Sequence, residues 1–163
     1  MTVAVIEIIV ADDRWLEVPG VESTAEVSVR AAFAASGLAL LPSAEASVLL
    51  TDDDAVAELN RKWRGKPTAT NVLSFPAAAP EALARSPVIG DIALAYQTCR
   101  REAEEQGKPL ADHLAHLVVH GALHLVGYDH EGEAEAERME ALEVRVLAGL
   151  GIADPYVGTE AAS

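Results

Sequence analysis

All five histidines of the chain fall between residues 113 and 130, in the run His113-Leu-Ala-His116-Leu-Val-Val-His120-Gly-Ala-Leu-His124-Leu-Val-Gly127-Tyr128-Asp129-His130. Imidazole binds transition metals and titrates near neutrality, so such a run points to metal or acid–base chemistry. His120 and His124 are four apart, which on a helix stacks them on one face. Two imidazoles so placed can reach one ion at about 2.0–2.1 Å each. Gly127 can end the helix in a left-handed turn, and His130 can then swing back as a third ligand. Three histidines leave one position of a tetrahedral zinc open for water, the pattern of a catalytic site. Zinc is the first expectation, and nickel, copper and iron also suit imidazole. A lone His-x-x-x-His is usually structural; the glycine stop and the third histidine favour a metal here. His116 shares the stripe, but its rise of about 12 Å to His124 keeps it off the same ion. It is read as a residue behind the ligands or a substrate-facing one, and as a weak acid–base group. His113, farther still, is expected to be exposed near the helix start. Asp129 either orients a ligand imidazole through its N–H or stabilises the turn.

The helix that must carry this stripe is predicted over Ala111–Val126. Leu114, Leu117, Val118, Leu123, Leu125 and Val126 make it apolar nearly all round, so it should be central and buried, with one polar seam that needs partners. Strands are predicted over Val3–Val10, Ala46–Leu50, Asn71–Phe75 and Gly90–Ala95. Helices are predicted over Ser23–Ala35 (Ser23 or Thr24 as cap), from the acidic start Asp52-Asp53-Asp54 to about Trp63, over Gln97–Gln106, and over Glu133–Ala148. Residues 77–87 read as an exposed excursion. Met139, Leu142, Val146 and Leu150 recur at helical spacing, so the last helix should lie amphipathically on the surface. The sum is one α+β domain of about four strands and five helices, without repeats or an interdomain linker.

The 163 residues carry 12 basic and 26 acidic side chains, a net charge of −14. A large basic face gripping duplex DNA by charge is excluded. Arg61, Lys62, Arg64 and Lys66 form the only dense basic patch, able to steer an anion locally or simply to complement a helix C-terminus. Trp63, inside this patch, can stack on a base, but core packing is the commoner role at such spacing. Glu131, Glu133, Glu135, Glu137, Glu140 and Glu143 make the last helix strongly negative, which reads as a solvated face or as a surface for a basic partner. One cysteine, Cys99, excludes an intrachain disulfide and fits a reducing, cytoplasmic setting; it reads as buried packing. The N-terminal apolar run is short and broken by Glu7, unlike a signal peptide. No run reaches the roughly 18 apolar residues of a membrane span.

The spacing His-x3-His-x2-Gly-x2-His is also that of metzincin peptidases, which carry a glutamate base directly after the first histidine. Gly121 stands there instead, which argues against proteolysis. The run His120 to His130 resembles the signature of the YbeY family of bacterial endoribonucleases and ribosomal-RNA maturation factors. Leu59–Lys66, Thr70–Pro76, Gly90-Asp91-Ile92, Glu137–Glu143 and Asp154-Pro155-Tyr156 resemble further blocks of that family, so the likeness covers roughly residues 45–157. Asn71 and Trp63 depart mildly from it, since many members have Asp and Tyr there.

The resemblance implies a mixed-sheet α+β fold with a zincin-like metal helix, a single domain over 1–157 and a short tail over 158–163. It implies zinc held by His120, His124 and His130, and a functional Arg64, whose planar fork suits a phosphate. It implies cleavage of single-stranded ribosomal RNA, in 3′-end maturation of the small-subunit RNA and ribosome quality control, with the small subunit and its proteins as partners. Without the resemblance, Arg64 could equally be a solvated helix-end residue. Asp91 is a carboxylate expected near the cleft, yet no general base is evident. A non-enzymatic assembly factor, whose metal only shapes the cleft, is therefore the alternative, ahead of a metallopeptidase.

Overall fold

The computed structural model describes residues 4–129 and 131–156. Four strands form one mixed sheet: β1 (Val5–Val10), β2 (Glu45–Thr51), β3 (Val72–Pro76) and β4 (Val88–Ala95). Their order across the sheet is β1-β2-β4-β3. β1 and β4 both run parallel to β2, and β3 pairs antiparallel to β4 at one edge. The expected α+β class, mixed sheet and single domain are therefore present. Five α-helices complete it: α1 (Val21–Ser36), α2 (Asp53–Arg64), α3 (Tyr96–Glu105), α4 (Leu110–Leu125) and α5 (Glu133–Gly149).

The main core lies between one sheet face and the pair α1 and α4. Alternation along β2 and β4 sends Ala46, Val48, Leu50, Ile92 and Leu94 into it, opposite Val29, Leu114, Val118 and Leu125. α4 is buried nearly all round, as its composition predicts. It lies so close to β4 that a Cβ on Gly121 would meet Ile92 Cγ2 at 3.0 Å. A glutamate there, as a peptidase would carry, would have to push the Ile92 side chain aside. Gly90 makes the second close approach. At φ +148° a Cβ there would meet the Phe75 carbonyl oxygen at 2.5 Å and Leu125 Cδ2 at 2.8 Å.

α2 packs on the other sheet face, where Val56 joins Leu73, Ala93 and Ala95 in a smaller core. Asp52 caps it by accepting from the Ala55 N–H at 2.8 Å, and Gly65 ends it in the left-handed region at φ +71°. Buried Asn60 donates to the Thr68 carbonyl at 2.9 Å, folding the loop back along α2 towards β3.

Several expectations are corrected. α1 starts at Val21 after Gly20, with no side-chain cap, because the chain enters it through a left-handed glycine rather than through Ser23 or Thr24. A short 3₁₀ turn, Asp13–Glu17, precedes it and buries Trp15, whose indole donates to the Thr51 carbonyl at 2.9 Å. Residues 80–85 form another 3₁₀ turn, anchored by buried Leu83. Trp63 is not core: it is 64% exposed, since it stands on the wall of an open groove at the end of α2. Among the described residues, no helix is long and apolar enough to cross a membrane. The expected tail over 158–163 lies outside the described residues.

Candidate active site

α4 positions the histidine stripe, and its C-terminus turns at Gly127, φ +101°. There the Tyr128 N–H donates to the Leu123 carbonyl at 3.0 Å, closing the helix as the sequence predicts. His120 and His124 meet at the cleft floor, with their Nε2 atoms 3.1 Å apart and their rings edge to face. Each Nδ1 is held from behind. His120 Nδ1 lies 2.8 Å from Glu143 Oε2, and His124 Nδ1 lies 2.9 Å from the Tyr128 carbonyl oxygen.

The Tyr128 carbonyl can only accept, so His124 carries its proton on Nδ1. Glu143 fixes the tautomer of His120 in the same way. Burial by itself would push its carboxyl up, but hydrogen bonds from His116, His120 and Tyr156 outweigh that and hold it at about 2. It is therefore an ionised acceptor. Both Nε2 atoms then face one small space, within hydrogen-bond distance of each other. This donor set fits a transition metal held by imidazole, each ligand oriented by an acceptor on its other nitrogen. Among the described residues no group of three or more His, Cys, Asp or Glu is placed to hold a metal. His130, the expected third ligand, lies outside the described residues.

Glu143 was missed by sequence reasoning, which placed it on a solvated face. It is completely buried on α5. It follows Leu142 and stands four residues after Met139 and three before Val146, on the buried stripe, and that position was a readable signal. Its Oε1 accepts from His116 Nε2 at 2.9 Å and from the Tyr156 hydroxyl at 2.5 Å. Tyr156, also overlooked as a site residue, is pushed up in pKa by burial and by the Glu143 carboxylate. His116 therefore sits behind His120, bonded to Glu143, and does not line the cleft. The expected exposure of His113 is also corrected: it is buried, with Nε2 2.8 Å from Glu102 Oε1.

The cleft above the two imidazoles has a volume of about 630 Å³. Arg64, Asp129 and Glu131 line it, together with Thr70 to Ser74. Arg64 donates from Nη2 to the Ser74 carbonyl at 2.8 Å, which aims the guanidinium along β3. Asp129 lines the cleft beside the turn, but the described hydrogen bonds that orient the imidazoles come from Glu143 and Tyr128. Asp91 is not in this cleft. It lies on the opposite sheet face, accepting from the Ser47 hydroxyl at 2.5 Å, because β4 alternation turns it away from α4. Cys99 is fully buried, and burial pushes its thiol well up, so it packs rather than reacts.

Paired imidazoles under a polar cleft, backed by a buried carboxylate on an α+β scaffold, make a site suited to hydrolytic chemistry. The family model for Endoribonuclease YbeY matches residues 13–151. Curated proteins named Endoribonuclease YbeY are similar over nearly the whole chain. The one from Methylocella silvestris is 51% identical over 152 residues, covering 93% of this chain and 85% of the relative. That from Bradyrhizobium sp. is 49% identical over 158 residues, covering 94% and 93%. The solution structure of TM1509 from Thermotoga maritima shares the fold, with a TM-score of 0.54 at 23% identity, over 89% of this chain and 91% of that one. The chain belongs to the YbeY endoribonuclease family, a family of RNA-cleaving hydrolases.

Proposed function

We propose that this chain is a zinc-dependent endoribonuclease that cuts single-stranded RNA. Its proposed substrate is the 3′ region of small-subunit ribosomal RNA, during maturation and ribosome quality control in the cytoplasm. The observation that carries the metal is the convergence of two imidazole Nε2 atoms at 3.1 Å, each ring oriented by an acceptor at its Nδ1. His120, His124 and His130 would hold the ion. Bound there, zinc would supply a Lewis acid for a phosphoryl oxygen and an activated water.

The protein's own groups do the rest. Arg64 presents a planar fork to the phosphodiester, held in direction by the Ser74 carbonyl, and neutralises charge that grows as phosphorus is attacked. Glu143 keeps the Nδ1 proton of His120 in place, and the Tyr128 carbonyl does the same for His124. The cleft lining from Thr70 to Ser74 is backbone-rich and suits an extended single strand. With a net charge of −14, the chain has little general attraction for RNA, which supports a substrate presented by the small subunit and its proteins.

A labelled single-stranded ribosomal RNA fragment tests this reading, using zinc-loaded wild type and His124→Ala purified side by side. Cleavage by the first and none by the second is the expected result. Equal cleavage by both would indicate a contaminating nuclease and favour the assembly-factor alternative.

A further inference from the structure

The sheet face away from α1 and α4 is only half covered. α2 closes one end of it. Beyond the last turn of α2 a groove of about 640 Å³ stays open, floored by Ile9, Leu49 and Ala93 and walled by Trp63 and Phe75. That size falls among pockets that take small organic ligands. Trp63 is 64% exposed and Ile9 41%, an unusual outlay of apolar surface on so acidic a protein.

This groove adjoins the histidine cleft. Arg64, Ser74 and Pro76 line both, so the two hollows meet along one ridge. The Arg64 guanidinium stands on that ridge, 5.6 Å from the centre of the Phe75 ring. The Lys62 ammonium lies 5.3 Å from the centre of the Trp63 ring. Aromatic faces and two cations therefore share one rim. On the floor, the Ser47–Asp91 pair offers polar acceptors.

We propose that this groove binds unstacked bases of the single-stranded RNA whose phosphodiester lies in the histidine cleft, with Trp63 as the stacking platform. The inference rests on the reading of that cleft as the place where RNA is cut. The parts sort by chemistry. Bases enter the apolar groove, where stacking is tolerant of sequence and exocyclic amines can donate to Asp91 and Ser47. Phosphates stay on the rim near Lys62 and Arg64, away from the Asp91 charge. A protein segment would suit the floor, but it gives the two rim cations and the position beside the cleft no purpose.

The chain reports on this directly, because it has two tryptophans and Trp15 is fully buried. An unstructured oligoribonucleotide of A and C only should quench Trp63 emission and shield it from iodide. The measurement uses His124→Ala so that the probe stays intact. In cleavage assays with otherwise wild-type protein, Trp63→Ala should raise KM about 5- to 150-fold, the worth of one stacked base, with kcat within about twofold. Trp63→Phe should recover most of the loss. Unchanged emission and iodide access with the oligonucleotide, or a wild-type KM for Trp63→Ala, would overturn the proposal and leave the groove to a protein segment. Quenching of Trp63 by an RNA that the wild type fails to cut would instead sink the cleft reading and leave the base groove standing.

Discussion

Replacing Glu143 by glutamine should cripple metal binding without emptying the core. The side chain is completely buried and accepts three hydrogen bonds: from His120 Nδ1 at 2.8 Å on Oε2, and from His116 Nε2 at 2.9 Å and the Tyr156 hydroxyl at 2.5 Å on Oε1. Glutamine keeps the shape but has one oxygen and one NH2. Two donors face the Oε1 position and one faces the Oε2 position, so the amide oxygen turns towards His116 and Tyr156. The NH2 then meets His120 Nδ1, donor against donor, unless His120 moves its proton to Nε2. There the proton points at His124 and occupies the place of the ion. Losing an orienting partner of this kind costs about 10- to 100-fold in metal affinity. Chelator competition with cobalt(II), followed by its visible absorption, measures this against wild type, with His124→Ala as the non-binding reference. Circular dichroism and thermal melts of the metal-free proteins check that the fold persists. Cobalt affinity within about twofold of wild type, in a Glu143→Gln protein that melts normally, would refute the tautomer argument.

Arg64 is exposed and only its direction is fixed, by the Ser74 carbonyl. Arg64→Ala should therefore lower kcat/KM about 10²- to 10³-fold, as for other lost transition-state donors, with the melting temperature unmoved. Arg64→Lys should recover little, because a point charge cannot replace the fork. Gly90→Ala should cost more than about 2 kcal/mol in urea unfolding, since its Cβ would strike the Phe75 carbonyl and Leu125 at a backbone angle that L residues avoid. His113 should govern part of the acid limb. Burial pushes its imidazole below the ordinary 6.5, with Lys108 and His116 adding to the fall and Glu102 opposing it. A depressed imidazole contributes stability that is fully present above the unfolded value and lost as pH falls through the folded one. Metal-free protein should thus melt lower as pH drops below 6.5, and His113→Gln should flatten that slope. An identical slope in both proteins would assign the acid limb to other groups.

The elements that carry periodicity were legible in the sequence. The stripe at 116, 120 and 124, the glycine stop and the four apolar strands follow from spacing alone, and the family likeness supplied the mixed sheet. What was illegible depends on which surface another element covers. Trp63 lies on the same helical face as Val56 and Leu59, so local pattern places it in the core. It is bare because it stands on the wall of an open groove rather than under another element, a fact of tertiary placement. Asp91 belongs to a recognisable block, but which face of β4 points at the cleft is set by the register with β2. Glu143 errs the opposite way, since five other acidic residues between 131 and 140 hide one carboxylate that shares a stripe with Met139 and Val146.

The polar seam of α4 explains how the fold can set four histidines, one buried and three half-buried, along its central helix. Each seam residue meets an acceptor from outside the helix. His113 meets Glu102 on α3, His116 and His120 share Glu143 on α5, and His124 meets the carbonyl of Tyr128 in the turn beyond. A buried imidazole without such a partner would cost about 1–3 kcal/mol. The same bonds tie α3 and α5 to α4, so the seam fastens the helical layer as well as arming one end of it. Only at that end do two imidazoles turn their second nitrogens towards each other. Glu143 stands where the two tasks meet, and a buried anion with no Arg or Lys partner among the described residues gains its strongest counter-charge when a cation sits beyond His120. Metal loading should therefore raise the melting temperature more in wild type than in Glu143→Gln, even at saturating metal. Equal increments would show that the carboxylate serves packing alone.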